Sequence, residues 1–84
     1  MNNKVLVHLL LPEIDDSFDV FVPINIRIGT VVNLINKSIK ELSGGICDEK
    51  RNRKLYNVED SNPYPTNLLV RETNIRNGTT VVFM

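Results

Sequence analysis

The segment FDVFVPINIRIGTVVNLI, residues 18–35, decides the fold because its apolar period changes partway along it. From Phe18 to Ile28 every second residue is apolar, which is the alternation of a half-buried β-strand. Pro23 cannot donate to a sheet ladder, so we expect the hydrogen-bonded strand over Phe18–Val22, with an extended lead-in after it. Beyond Gly29 the apolar residues recur at three- and four-residue spacing, which predicts an amphipathic helix.

The predicted helix is about 13 residues long, enough to cover one face of a small sheet. Thr30 is expected to cap its N-terminus, because a threonine hydroxyl accepts from the free amides of a first turn. Gly44 and Gly45 are expected to end it, since glycine adopts the left-handed C-terminal position. The stripe that should face the sheet consists of Val31, Leu34, Ile35, Ser38, Ile39 and Leu42.

Strands are predicted on both sides of this segment. Lys4–Leu11 has aliphatic residues at every odd position, so we expect the odd set to face the core. The residues from Pro12 to Ser17 are turn formers that make this strand and the next one a hairpin. Further strands are predicted at Lys54–Val58, in minimal form at Leu68–Val70, and at Thr79–Met84.

This order of elements predicts an α+β fold. A hairpin that feeds a helix packed on its own sheet requires the C-terminal strand to lie beside the first strand, parallel to it. That arrangement is the β-grasp, here a mixed four- to five-stranded sheet packed on one amphipathic helix. We expect a single domain over residues 1–84.

Composition excludes several function classes. Ten basic and ten acidic residues give a net charge of zero, which argues against a dedicated nucleic-acid binder. No apolar run approaches the ~20 residues of a membrane span, so membrane insertion is not expected. One cysteine and one histidine cannot form a closed zinc site, and no cofactor is predicted. A lone thiol and no export signal predict a cytoplasmic protein.

Two segments, Val22–Ile35 and Thr73–Met84, resemble the strand-to-helix link and the last turn and strand of ubiquitin-like proteins. The likeness extends over almost the whole chain and is greatest to the small bacterial proteins of the YukD/EsaB type, which are accessory components of type VII secretion. It implies a non-enzymatic ubiquitin-fold adaptor that acts by binding protein partners, among them components of the secretion machinery.

The end of the sequence bears on one property of that family. Ubiquitin-type modifiers and sulfur carriers act through a flexible C-terminal Gly-Gly, whereas this sequence finishes with Val82, Phe83 and Met84. We therefore expect a binding module and not a conjugated modifier. A sulfur carrier or modifier, and a homo-oligomeric structural module or weak homodimer, remain the alternatives.

The candidate site is a set of mainly apolar side chains on the face of the sheet away from the helix. Exposed apolar patches of this kind mark interaction sites, although scattered surface aliphatics are also common. The predicted partner-binding residues are Leu6, His8, Leu10, Tyr56, Val82 and Met84.

Three other features carry weaker functional signals. His8 has no evident nucleophile or orienting carboxylate, and Cys47 is expected to be an inert loop thiol, so no catalytic residue is predicted. The basic stretch Lys50–Lys54 is expected to be a solvated loop. Its use by an acidic partner is left open.

Overall fold

Four strands and one α-helix form the described part of the chain, residues 3–48 and 51–84 of a computed structural model. A short 3-10 helix at Pro12–Ile14 joins the first two strands, and a second lies at Val70–Glu72. The main elements are β1 at Lys4–Leu11, β2 at Asp16–Pro23, α1 at Ile28–Leu42, β3 at Leu55–Asn57 and β4 at Thr79–Phe83.

The sheet is mixed and has the order β2-β1-β4-β3. The pairs β1–β2 and β3–β4 are antiparallel, whereas β1 and β4 run parallel in the centre. The strand that comes last in the sequence therefore lies beside the first one, and the predicted β-grasp topology is confirmed.

The core lies between the sheet and α1. Val7, Leu9 and Leu11 of β1 are at most 4% exposed, as the odd-position pattern predicts. They pack in one hydrophobic cluster with buried residues of the helix and of the other strands, and removal of this apolar surface from water is the main stabilising term. The fully buried members outside β1 include Ile28, Ile39, Val70, Val81 and Phe83.

The start of α1 differs from the sequence prediction. The helix begins at Ile28, and Thr30, the predicted cap, lies inside the first turn. No side chain caps this end, because the first amides are bonded by a distant loop: Ile28 N–H donates to the Leu68 carbonyl and Gly29 N–H to the Thr66 carbonyl. A Cβ on Gly29 would lie 3.3 Å from that Thr66 oxygen, so glycine permits the close approach.

The predicted strand at Leu68–Val70 is wrong. Only an isolated bridge joins Leu69 to Arg27, and Val70 begins the second 3-10 helix. The Val70 amide donates to the Ile26 carbonyl, so backbone bonding to the segment before α1 satisfies this stretch without a ladder. The sheet accordingly has four strands in the described residues.

The helix buries its apolar residues unevenly. Val31 and Ile39 are buried as predicted, but Leu34 and Leu42 are each 54% exposed, and Val32 is buried although it lay outside the predicted stripe. The helix is therefore turned so that one margin of its apolar face stays uncovered.

The loop between α1 and β3 is anchored by a buried cation. Arg53 is only 3% exposed, so the expectation of a solvated basic loop is wrong at this position. Its guanidinium is bonded to Glu13, which holds the pKa of Arg53 above its usual range. Lys50 of the same stretch lies outside the described residues. Cys47, expected in a polar loop, is buried at the margin of the core.

Candidate protein-binding face of the sheet

Five of the six residues predicted to bind a partner lie on the strands, and Met84 directly follows β4; all six occupy positions that alternate with the core. In β3 and β4 the sequence neighbours Leu55, Val81 and Phe83 are buried against the helix side, so Tyr56 and Val82 face the opposite way. Met84 is 56% and Leu6 38% exposed, whereas the other four are half-buried. The outward assignment made from alternation is therefore consistent with their burial.

The strand register brings three of these side chains into one row. Tyr56 of β3 is the pairing partner of Val82 of β4, and Val82 is in turn the partner of Leu10 of β1. Met84 is two positions beyond Val82 and exchanges backbone hydrogen bonds with Lys54. We call Leu10, Tyr56, Val82 and Met84 the sheet-face cluster.

Leu6 does not join the sheet-face cluster. Its cross-strand partner is Phe21 of β2, which is 69% exposed and forms with Leu6 a second apolar pair on the same face. Sequence reasoning left Phe21 out of the site. The signal was present, because Phe21 alternates with the inward residues of β2 and is an aromatic residue at an outward position.

A polar row separates the sheet-face cluster from the pair Leu6 and Phe21. It consists of Thr80, His8 and Asp19, which are aligned across β4, β1 and β2. His8 Nδ1 lies 2.7 Å from Asp19 Oδ1, so the expectation that no carboxylate accompanies His8 is wrong. Both side chains are substantially exposed. His8, itself one of the six predicted residues, therefore lies in a polar row that divides the apolar residues of this face into two groups.

The described residues contain neither a cluster of three metal-binding side chains nor a membrane-spanning helix. Nowhere in residues 3–48 and 51–84 do three His, Cys, Asp or Glu side chains come together as a metal site would need. Within the same ranges, no helix has the length and apolar character required to span a bilayer.

A network of polar side chains connects β3 to the loop that follows it. Asn57, which is 8% exposed, donates through Nδ2 to the Tyr64 hydroxyl at 2.9 Å, and that hydroxyl donates to Asn74 Oδ1 at 2.6 Å. Burial raises the pKa of Tyr64. This network fixes the loop between β3 and β4 and limits how far β3 can move beside the sheet-face cluster.

Comparison with known proteins gives matches at the level of structure alone. No family model matches the sequence, and no curated protein matches it. The ubiquitin-like domain of EccD5 from Mycobacterium xenopi superposes with a TM-score of 0.78 at 17% identity, covering 99% of this chain and 94% of that one. The ubiquitin-like domain of the Mycobacterium tuberculosis type VII secretion protein EccD1 gives 0.72 at 12% identity, with 99% and 98% covered.

A chain of the MycP5-free ESX-5 inner membrane complex also matches, with a TM-score of 0.78 at 16% identity and 99% of this chain covered. This protein spans only 21% of the length of that chain. Identities of 12–17% over a superposable backbone establish a common fold. The chain therefore has the ubiquitin-like β-grasp fold, shared with ubiquitin-like domains of type VII secretion proteins.

Proposed function

We propose that this protein is a non-enzymatic ubiquitin-fold adaptor that binds another protein through the sheet-face cluster, as part of type VII secretion. The observation that carries the proposal is the row formed by Leu10, Val82 and Tyr56 across three adjacent strands. Its members are apolar or aromatic, partly exposed and held by a paired backbone, so a partner would meet a preorganised surface.

Burial of this cluster suits a moderate affinity. Removal of apolar surface from water is worth about 25 cal/mol per Å², so a few hundred Å² contribute several kcal/mol before the cost of association. A contact of that size suits a weak association that is readily reversed. An accessory component that must join and leave a larger assembly needs this property.

The secretion setting is supported by fold and sequence together. The solved ubiquitin-like domains of EccD1 and EccD5 have the same fold, and the residues of the strand-to-helix link resemble the YukD/EsaB type. The proposed partner is a cytoplasmic component or segment of the secretion machinery.

The test is capture of partners by the tagged full-length protein in its own cell extract. A variant with Val82→Asp and Met84→Asp places two charges in the sheet-face cluster, and Ile46→Asp is the matched control because Ile46 is 88% exposed elsewhere. We expect a secretion component to be captured by the parent and the control, and at least tenfold less by the double variant. Circular dichroism must show that all three remain folded.

Two results would contradict the proposal. Equal capture of the same component by the double variant excludes the sheet-face cluster. A thiocarboxylate or an isopeptide adduct on the protein, detected by intact mass spectrometry, would assign it instead to the sulfur-carrier or modifier alternative.

A further inference from the structure

The margin of α1 that the core leaves uncovered carries a short apolar row. Leu34, Ser38 and Leu42 follow one another at four-residue spacing, so they form one ridge along the helix. Leu34 and Leu42 are each 54% exposed. The Ser38 hydroxyl donates to the Leu34 carbonyl at 3.0 Å, so its proton is already bonded within the helix. The ridge therefore presents two large apolar side chains with a small, bonded side chain between them.

Apolar surface continues from the ridge toward the edge of the sheet. A groove of about 610 Å³ separates α1 from β2, and Phe18 and Val20 line it beside the ridge. Both residues are half-buried and pack against the core, so their side chains lie on the helix side of β2. A partner helix laid along the ridge would therefore also contact the inner face of β2.

The side of the ridge away from the core carries one cation and one anion. Lys37 and Glu41 are exposed and lie one turn apart on the neighbouring row of the helix. Neither side chain makes an ion pair with another described residue. Lys40 does not belong to this row, because two residues turn the helix by about 200° from Ser38.

We infer that the ridge is the contact between two copies of this chain, which pair α1 against α1 in an antiparallel dimer. A two-fold axis beside Ser38 places Leu34 of one copy next to Leu42 of the other, and the reverse, so the ridge is complementary to itself. Rows with four-residue spacing pack side by side when two helices cross at about −50°. The small side chains of the two Ser38 residues allow the helices to approach closely at the axis.

The charges beside the ridge fit the same axis. With a rise of about 1.5 Å per residue, Lys37 of one copy lies within about 3 Å of Glu41 of the other, measured along the helices. The axis repeats this pair, so two ion pairs form on one side of the ridge. Surface pairs contribute little affinity, but they specify orientation, because a parallel dimer would place Lys37 beside Lys37 and Glu41 beside Glu41.

Such a dimer leaves the sheet-face cluster of each copy free, because that cluster lies on the face of the sheet away from α1. It therefore carries two clusters, and a partner with two matching segments would bind it more tightly than it binds the monomer. This consequence rests on the proposed function, whereas the dimer itself goes beyond it and is tested without a partner.

Sedimentation equilibrium of the full chain, from micromolar to millimolar concentration, tests the inference. Stable interfaces bury about 1,200–2,000 Å² and one helix ridge supplies less, so we expect a reversible equilibrium between monomer and dimer. Leu34→Ser should weaken the dimer at least tenfold without a change in net charge. Val58→Ser is the matched control, since Val58 is 46% exposed beside β3, at the other edge of the sheet, and it should have no effect.

A charge exchange tests the orientation of the helices. Lys37→Glu should weaken the dimer about tenfold, because two carboxylates then meet across the axis. Lys54→Glu makes the same change in net charge away from α1 and should have no effect. The double variant Lys37→Glu with Glu41→Lys should restore the dimer, since opposite charges again meet, and this recovery also shows that the variants are folded.

Four results would overturn the inference. They are a monomer at millimolar concentration, equal effects of Lys37→Glu and Lys54→Glu, a double variant that stays monomeric, and loss of the dimer when Val82 and Met84 are both changed to aspartate. The last result would assign self-association to the sheet-face cluster.

Discussion

Arg53 and Glu13 form a two-point ion pair that closes one end of the core. Arg53 Nε lies 2.5 Å from Glu13 Oε2, and Arg53 Nη2 lies 3.1 Å from Glu13 Oε1. The remaining guanidinium nitrogen donates to Asn36 Oδ1 and to the Asp48 carbonyl. The planar fork of arginine allows one side chain to bind the first 3-10 helix, α1 and the loop before β3 together.

The first prediction concerns the strength of this pair. Glu13→Gln leaves the buried Arg53 charge without its counter-ion. Removal of one partner of a fully buried pair costs about 3–5 kcal/mol of unfolding free energy, and because the Glu13 side chain is 24% exposed we expect a loss at or below the lower end of that range. Arg51 also contacts Glu13 but its side chain is 66% exposed, so Arg51→Ala should cost less than about 1 kcal/mol. Urea unfolding measures both. Similar losses for the two variants would show that Arg53 does not depend on Glu13.

The second prediction is the pH dependence of the same pair. The bond from Arg53 holds the pKa of Glu13 below its usual value of 4.5. A carboxyl whose pKa is lowered on folding stabilises the protein fully above its unfolded pKa and loses that contribution as the pH falls through its folded pKa. The difference in unfolding free energy between the parent protein and Glu13→Gln should therefore be constant above about pH 5.5 and shrink below about pH 4.5.

Urea unfolding at several pH values checks this second prediction, with Arg51→Ala as the reference for a weaker contact. A difference that is flat from pH 7 to pH 3 would mean that Glu13 is not ionised preferentially in the folded state.

The third prediction tests how α1 is turned. Ile39 has no exposed surface and Leu42, one turn further on, is 54% exposed. Ile39→Ala should cost about 2–5 kcal/mol because it leaves a cavity in the core. Leu42→Ala should cost less than about 1 kcal/mol, since most of its surface already meets water. Thermal and urea unfolding compare the two variants, and equal costs would place Leu42 in the core.

The strands and their facing could be predicted because local pattern and burial agree there. In β1 the odd residues are aliphatic and are the ones that reach the core, so alternation alone identifies the inner face. The parallel pairing of β1 with β4 follows from the order of elements and the handedness of the connection. Patterns among residues that are close in sequence, together with the order of the elements, were sufficient to predict these features.

The wrong predictions for the start of α1 and for Arg53 have a different cause. In both, the residues that bond to the segment are distant from it in sequence. Thr30 is a good cap in isolation, but the carbonyls of Thr66 and Leu68 bond the first amides of α1 and move its start to Ile28. From the sequence alone Arg53 is predicted to be a solvated cation, but the fold places Glu13 beside it. Neither contact can be recognised from the residues that lie near Thr30 or Arg53 in the sequence.

The sequence predicted which candidate residues face away from the helix better than it predicted whether they form one continuous surface. Alternation identified Leu10, Tyr56 and Val82, and the register then aligned them. Alternation could not show that His8 and Asp19 separate Leu6 from Leu10, because that depends on which residues become cross-strand neighbours. The exposure of Leu34 and Leu42 was not predicted, because a helical stripe gives the apolar face of α1 but not the width of the sheet beneath it.

The bonding of the first turn of α1 to a loop late in the sequence has a consequence for biosynthesis. A nascent chain that has left the ribosome only as far as Leu42 has neither the carbonyls that hold the Ile28 and Gly29 amides nor the strand that fills the centre of the sheet. Long-range closures of this kind make folding slow compared with helix formation. We therefore expect the ribosome-bound segment to stay uncompacted until β4 emerges, and chaperones that recognise exposed aliphatic stretches would meet β1 during that interval.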